Sequence, residues 1–201
     1  MKKFDRLPPQ QRKEEIQAAA LRLFNEKGFA ATTMENIVEQ VSLSKGGVYR
    51  LYPSTSAILA DLILAGMHLR NDFYEERVKQ AAAAGQPLTL PFLVEMIGDS
   101  MLLSPEVSAV YVEFLWEKRR DPKLEQLYQQ LCATTVAETN ALIRQCGADE
   151  LLSGRISLEY LTELMNATIL SLYVLDLREF YTTHRKQLCE TIVRMLVSEI
   201  E

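Results

Sequence analysis

Lys45, Tyr49 and Arg50 fall within six consecutive positions, interleaved with the glycine pair Gly46 and Gly47 in the stretch SLSKGGVYRLYPS. Two cations and a phenol are the residue types that meet phosphates and base edges: Lys45 and Arg50 suit guanine or phosphate, and Tyr49 suits a phosphate or a thymine methyl. Each glycine inside a helix costs about 1 kcal/mol relative to alanine. A helix that keeps two gives up stability for something else. In a first turn that enters the major groove, glycine removes the bulk that would hold the backbone off the bases. The alternative is a helical hairpin whose glycines let a second helix pack closely, and the residue types alone leave both open.

A second set of residues suits a ligand pocket. Tyr111, Glu113, Phe114 and Trp116 lie in VYVEFLWEKRRD, Tyr128 follows, and Met165, Asn166, Tyr173 and Asp176 lie in YLTELMNATILSLYVLD. Aromatic, methionine and isolated polar side chains on apolar helices suit a largely apolar pocket with few polar anchors, and they equally suit a core. Glu113 and Asp176 stand out, because a carboxylate there is costly unless exposed, paired or facing a cation. If both lined one cavity, a cationic lipophilic effector is expected; if neither did, a neutral one. His68 is a candidate pH-sensitive element, with a solvated surface histidine as the alternative.

Other chemistry finds little support. His68 and His184 are the only histidines, and no nucleophile elbow, phosphate-gripping glycine loop or metal-ligand spacing occurs. The expectation is no enzyme, no metal and no cofactor. Cys132, Cys146 and Cys189 lie far apart with no C-x-x-C spacing, which reads as packed, reduced thiols.

Helical periodicity dominates, so the chain reads as all-α with about nine helices. In RKEEIQAAALRLFNEKGF, the residues Ile16, Ala19, Ala20, Leu23 and Phe24 form one stripe, which Gly28 ends. TTMENIVEQV continues with Met34, Ile37, Val38 and Val41, and Thr32 with Glu35 has the arrangement of a capping box. SLS breaks the pattern, Ser44 caps a short helix from Lys45 to Tyr52, and Pro53 closes it. Val48 and Tyr52 share the inner face of that helix, with Leu51 beside them, leaving Lys45, Gly46, Tyr49 and Arg50 outward. Helix, short break and helix have the dimensions of a helix-turn-helix. Ser54 then caps a long helix to about residue 80, with apolar positions at Ile58, Leu62, Ile63, Met67 and Leu69. Further helices are expected at about 88–103, 106–119, 122–146, 157–181 and 184–200, the last pair separated at Thr182 and Thr183.

Charge is unevenly spread. Residues 1–52 hold nine Lys/Arg against six Asp/Glu, whereas the whole chain has net charge −5. A basic end on an acidic body suits a nucleic-acid-binding head on an unrelated body. The basic start is followed by no apolar run of signal-peptide type, and the most apolar stretch, Leu164 to Leu177, carries Asn166, Thr168, Ser171 and Asp176. A cytoplasmic protein with no membrane partner is expected.

Residues Arg12 to Leu64, with LFNEKGFAATTM, then SKGGVYRLYPS, then a long helix, resemble the N-terminal domain of TetR/AcrR-family transcriptional regulators. The resemblance implies a three-helix DNA-binding head (residues 1–53), a helical effector-binding and dimerisation body (54–201), and repression of a promoter relieved by a small molecule. On the matching positions, Thr33 touches phosphate, Ser44, Lys45, Gly46 and Gly47 form the groove-entering turn, Tyr49 and Arg50 contact phosphate or bases, and Tyr52 is largely core. Leu51 and Thr55 depart from the pattern, standing where a histidine or tyrosine and a lysine often meet the backbone. Lys2, Lys3, Arg6, Arg12 and Lys13 form a candidate basic arm that could compensate. Helices apolar most of the way round need cover, so a two-fold homodimer through a four-helix bundle is expected, with Leu172, Leu188, Ile192, Met195 and Leu196 at the interface. Its recognition helices, about 34 Å apart, would meet successive major grooves of a palindromic double-stranded DNA operator.

Overall fold

The computed structural model describes residues 8–145 and 158–198. Among the described residues there are nine helices and no strand: α1 (Pro9–Lys27), α2 (Met34–Val38), α3 (Lys45–Leu51), α4 (Thr55–Ala83), α5 (Leu90–Ser100), α6 (Pro105–Glu117), α7 (Pro122–Gln145), α8 (Leu158–Val174) and α9 (Arg178–Ser198). None is long and apolar enough to cross a membrane.

Local signals set most boundaries. Helix α1 buries Ile16, Ala19, Ala20 and Phe24 on one face and ends where Gly28 takes φ +84° and donates its N–H to the Phe24 carbonyl. Ser44 caps α3 by accepting from Gly47 N–H, and Ser54 caps α4 by accepting from Ala57 N–H. At the start of α2 the capping box is made one residue later than expected. Thr33 and Asn36 form it, not Thr32 and Glu35. Thr32 is instead buried and donates to the Gly28 carbonyl at 2.9 Å, which closes the α1–α2 turn.

Helix α4 is a strut of 29 residues, roughly 43 Å long. Its first half buries Ile58, Leu59, Leu62 and Ile63, and its second half buries Tyr74, Val78 and Ala81. Leu69, expected on the apolar face, is 47% exposed between the two. One cluster runs without interruption from Ile16, Phe24, Ile37 and Val48 through Ile58 and Leu62 to Phe114, Leu124 and Leu131. The three-helix head thus shares its core with α4, α6 and α7.

The break between the last two helices falls at Leu175–Leu177, seven residues before the expected Thr182. Leu177 N–H reaches back to the Leu172 carbonyl at 3.0 Å while Asp176 takes φ +51°. This is a Schellman-type ending with aspartate in the position usually held by glycine, a conformation that short polar side chains tolerate. Asp176→Gly should therefore leave urea-unfolding stability near wild type. Asp176→Val, which loses the same Arg178 contact but adds a β-branch at positive φ, should cost about 1–2 kcal/mol.

Candidate functional site

The outward face of α3 is built as its residue types suggest. Val48 and Tyr52 are buried, while Lys45, Gly46, Tyr49 and Arg50 are exposed. A Cβ placed on Gly46 would meet nothing within 4 Å, so no other helix packs on it and the close-packing alternative fails at this residue. Gly47 differs: its Cβ would lie 3.3 Å from the Ser44 Oγ that caps the helix. Thr33 and Ser44 use their oxygens to accept backbone N–H groups, which leaves each hydroxyl proton free to point outward. Thr55 is half-buried in the first turn of α4, and Leu51 packs against the core.

Glu35 is the member of this surface that sequence reasoning missed. Released from the capping box, it accepts from Lys45 Nζ at 3.0 Å and from Tyr49 Oη at 3.1 Å. The Lys45 hydrogen bond holds the Glu35 carboxyl below its ordinary range, and the same bond raises the Lys45 ammonium. Two of the three groups suited to DNA are therefore held by a carboxylate of the same subunit. Arg50 has no such partner among the described residues. Of the candidate basic arm, Lys2, Lys3 and Arg6 lie outside the described residues, and Lys13 is committed to Asp61 at 3.2 Å.

A polar clasp fixes the far end of α3. Tyr52 Oη donates to Asp61 Oδ2 at 2.8 Å and accepts from Gln17 Nε2 at 2.9 Å, while Lys13 Nζ lies over its ring. These contacts bind α3 to α1 and α4 together.

The candidate effector residues do not gather in one place. Phe114 and Tyr128 belong to the core. Glu113 accepts from the Phe29 N–H at 3.4 Å, which ties α6 to the α1–α2 turn. Trp116 is 55% exposed beside Arg119 and Arg120, and Asp176 is exposed at the α8–α9 turn with Arg178. Glu113 and Asp176 share no cavity, so the condition for a cationic effector is not met. Tyr173 Oη donates to the Met101 carbonyl. Tyr111 and Asn166 do line a common cavity of about 80 Å³ between α4, α6 and α8, together with Gly66, Arg70, Met101 and Val107. Asn166 is buried there, accepting from Tyr111 Oη and donating to Tyr128 Oη, both at 2.9 Å. His68 faces away from this cavity.

Of the expected interface residues, Leu172 points inward, buried with Met101, Ile169 and Tyr181, so it does not face a partner. Leu188 and Ile192 are half-buried, and the side chains of Met165, Met195 and Leu196 lie outside the described residues. The exposed apolar residues nearby are Leu164, Leu170, Val174, Leu175, Leu177 and Phe180.

Comparison with known proteins agrees with this architecture. Residues 16–62 match the family described as bacterial regulatory proteins, tetR family. Among curated proteins, the HTH-type transcriptional regulator YfiR of Bacillus subtilis is 41% identical over 56 residues, which is 28% of this chain and 27% of that protein. Only about a quarter of that relative's length is thus spanned. Among solved structures, Salmonella enterica GusR superposes with a TM-score of 0.66 at 22% identity, covering 94% of this chain and 95% of that one. Thermus thermophilus FadR, a TetR-family transcriptional repressor in complex with lauroyl-CoA, superposes with a TM-score of 0.57 at 24% identity, covering 94% and 95%.

Buried phenols make this fold sensitive to alkali. Burial pushes Tyr52, Tyr74, Tyr111 and Tyr128 well above the ordinary value of 10.0, and Tyr181 up to about 12. A phenol whose pKa is raised on folding contributes stability that is complete below pH 10 and lost as pH rises through the folded value. Urea midpoints should therefore fall between pH 9.5 and pH 12. Tyr52→Phe should cost about 1–2 kcal/mol at pH 8 and make the alkaline fall shallower.

Proposed function

We propose that this chain, whose residues 16–62 match the tetR family of bacterial regulatory proteins, is a DNA-binding transcriptional regulator of that family, a homodimeric repressor that a small-molecule effector releases from a palindromic operator. The exposed face of α3 carries this reading, with Gly46 open to the outside and Lys45, Tyr49 and Arg50 around it. Open space at a glycine that weakens its helix is what a closely approaching ligand surface requires. Lys45 and Arg50 would supply about two phosphate or guanine contacts per subunit, and Tyr49 a third polar one. On binding, Lys45 exchanges Glu35 for the nucleic acid, so Glu35 acts as a competing anion at the interface.

The dimer reading draws on the apolar residues left outside the subunit. Leu164, Leu170, Val174 and Leu175 lie along α8 and its end, and Phe180 opens α9. Leu170, Val174 and Leu175 line one open groove with Trp116, and a two-fold partner presenting the same apolar groove would cover it. Release by an effector draws on α4, whose two halves lie in the head and in the body. A ligand that binds better to one spacing of the two heads shifts the population by no more than its differential affinity. That the Thermus thermophilus FadR structure contains lauroyl-CoA supports a ligand-responsive body.

Three variants test the reading on the full chain with its own upstream DNA. Lys45→Ala with Arg50→Ala should abolish specific binding in a mobility-shift assay while sedimentation still shows the dimer. Residual non-specific binding should lose about 0.9 in log–log salt slope for each phosphate contact removed. Gly46→Ala should raise unfolding stability by about 1 kcal/mol yet weaken operator affinity. Unchanged affinity in both variants overturns the proposed interface. Val174→Lys with Leu170→Lys should yield monomers; a dimer that persists overturns the proposed face.

A further inference from the structure

We infer that the cavity between α4, α6 and α8 is a receptor for a small amphipathic carboxylate, held at its charged end by Arg70, which acts by parting α4 from α6 beside Gly66. The first half stands on the cavity alone; the second rests on the regulator reading above.

Arg70 lines the cavity with its guanidinium partly withdrawn from solvent. Its Nη2 donates to the neutral Thr135 Oγ1 at 2.9 Å, its carbon lies 5.8 Å from the centre of the Tyr74 ring, and its Nε is buried without a hydrogen-bond partner. No carboxylate lies within ion-pair distance among the described residues. Arg77, seven residues along the same helix, has Asp99 at 3.9 Å, and Arg185 has Asp99 at 2.5 Å. Arg70 is therefore a sheltered cation for which the described residues supply no carboxylate within ion-pair distance. Sheltering a charge without a partner is destabilising, and an incoming anion that accepts from its fork gains charge-assisted, bidentate bonds. A cation entering the same space would meet repulsion.

The remaining wall selects the rest of the molecule. Met101, Leu103, Val107 and Ile169 give it an apolar surface. At about 80 Å³ the space is near half the roughly 150 Å³ that accommodates a benzene ring, so only a short chain fits without movement. At the wall, a Cβ on Gly66 would lie 2.7 Å from Val107 Cγ1, so α4 and α6 already approach as closely as a glycine allows. A longer chain must separate them. Because α4 holds Tyr52 through Asp61, such a separation moves the recognition helix.

The test uses the purified full-length chain with butyrate, hexanoate and octanoate as probes and hexyltrimethylammonium as the opposite-charge control. Calorimetry without DNA should show hexanoate binding to wild type, at least tenfold weaker binding to Arg70→Gln, and no binding of the ammonium. Arg70→Lys, which keeps the charge but loses the fork, should fall between the two and serves if Arg70→Gln fails to fold. No binding of any carboxylate at millimolar concentration, equal affinity in the variants, or equal affinity for the ammonium overturns the receptor. Fluorescence anisotropy on labelled operator then reads the coupling, and octanoate should release DNA at lower occupancy than butyrate. Carboxylates that bind in calorimetry without releasing DNA overturn the wedge and leave the receptor standing. Absence of DNA binding altogether fails the regulator reading while the calorimetry still reports on the cavity.

Discussion

The hydrogen bond from Tyr52 to Asp61 is the contact on which the rest of the molecule's logic depends. A seven-residue helix that gives up two positions to glycine has little stability of its own, because short helices are held by packing rather than propensity. Tyr52 supplies that packing at the C-terminal end of α3, and its phenol is held on one side by α4 and on the other by α1 through Gln17. Helices α3 and α4 are consequently tied to each other directly. Val48, fully buried in the shared core, anchors the same face of α3, so the helix is held by packing and by this clasp together.

Hydrophobic burial extends the same coupling. The cluster that begins at Ile16 in α1 continues to Leu131 in α7, with Phe114 and Ile58 fully buried between. Such cores are close-packed and resist continuous deformation, so displacement at one wall is passed on rather than absorbed. Glu113 adds a polar tie from α6 to the Phe29 N–H beside the α1–α2 turn. The head is thereby gripped from both α4 and α6. Their relative position sets its attitude.

Much of this was legible in the sequence where local rules decide. The stripe of α1, the serine caps of α3 and α4, the glycine after α1 and the inward set Val48 and Tyr52 all follow from spacing and capping chemistry, and the resemblance drawn from SKGGVYRLYPS leads to the same head. Two local readings failed, one to a competing partner and one to an unusual backbone conformation. Thr32 is taken by the Gly28 carbonyl, which shifts the capping box and frees Glu35 for Lys45. Asp176 accepts a left-handed conformation that pattern reasoning reserves for glycine, which moved the α8–α9 break. The body was less legible because pocket lining depends on which face of each helix meets which neighbour. Phe114 and Asn166 have similar surroundings in sequence, yet one is core and the other reaches the cavity. Arg70 carried no signal beyond a lone cation on a long helix.

The placement of Trp116 has a practical corollary. It is the chain's one tryptophan, more than half exposed, with the guanidinium groups of Arg119 and Arg120 near its ring. It sits on the rim of an open groove shared by α6 and α8, next to Val174 and Leu175. An indole in that position emits from a wet environment, and anything that covers the rim dries it. The molecule thus carries an intrinsic optical gauge of whatever covers this groove, readable without a label.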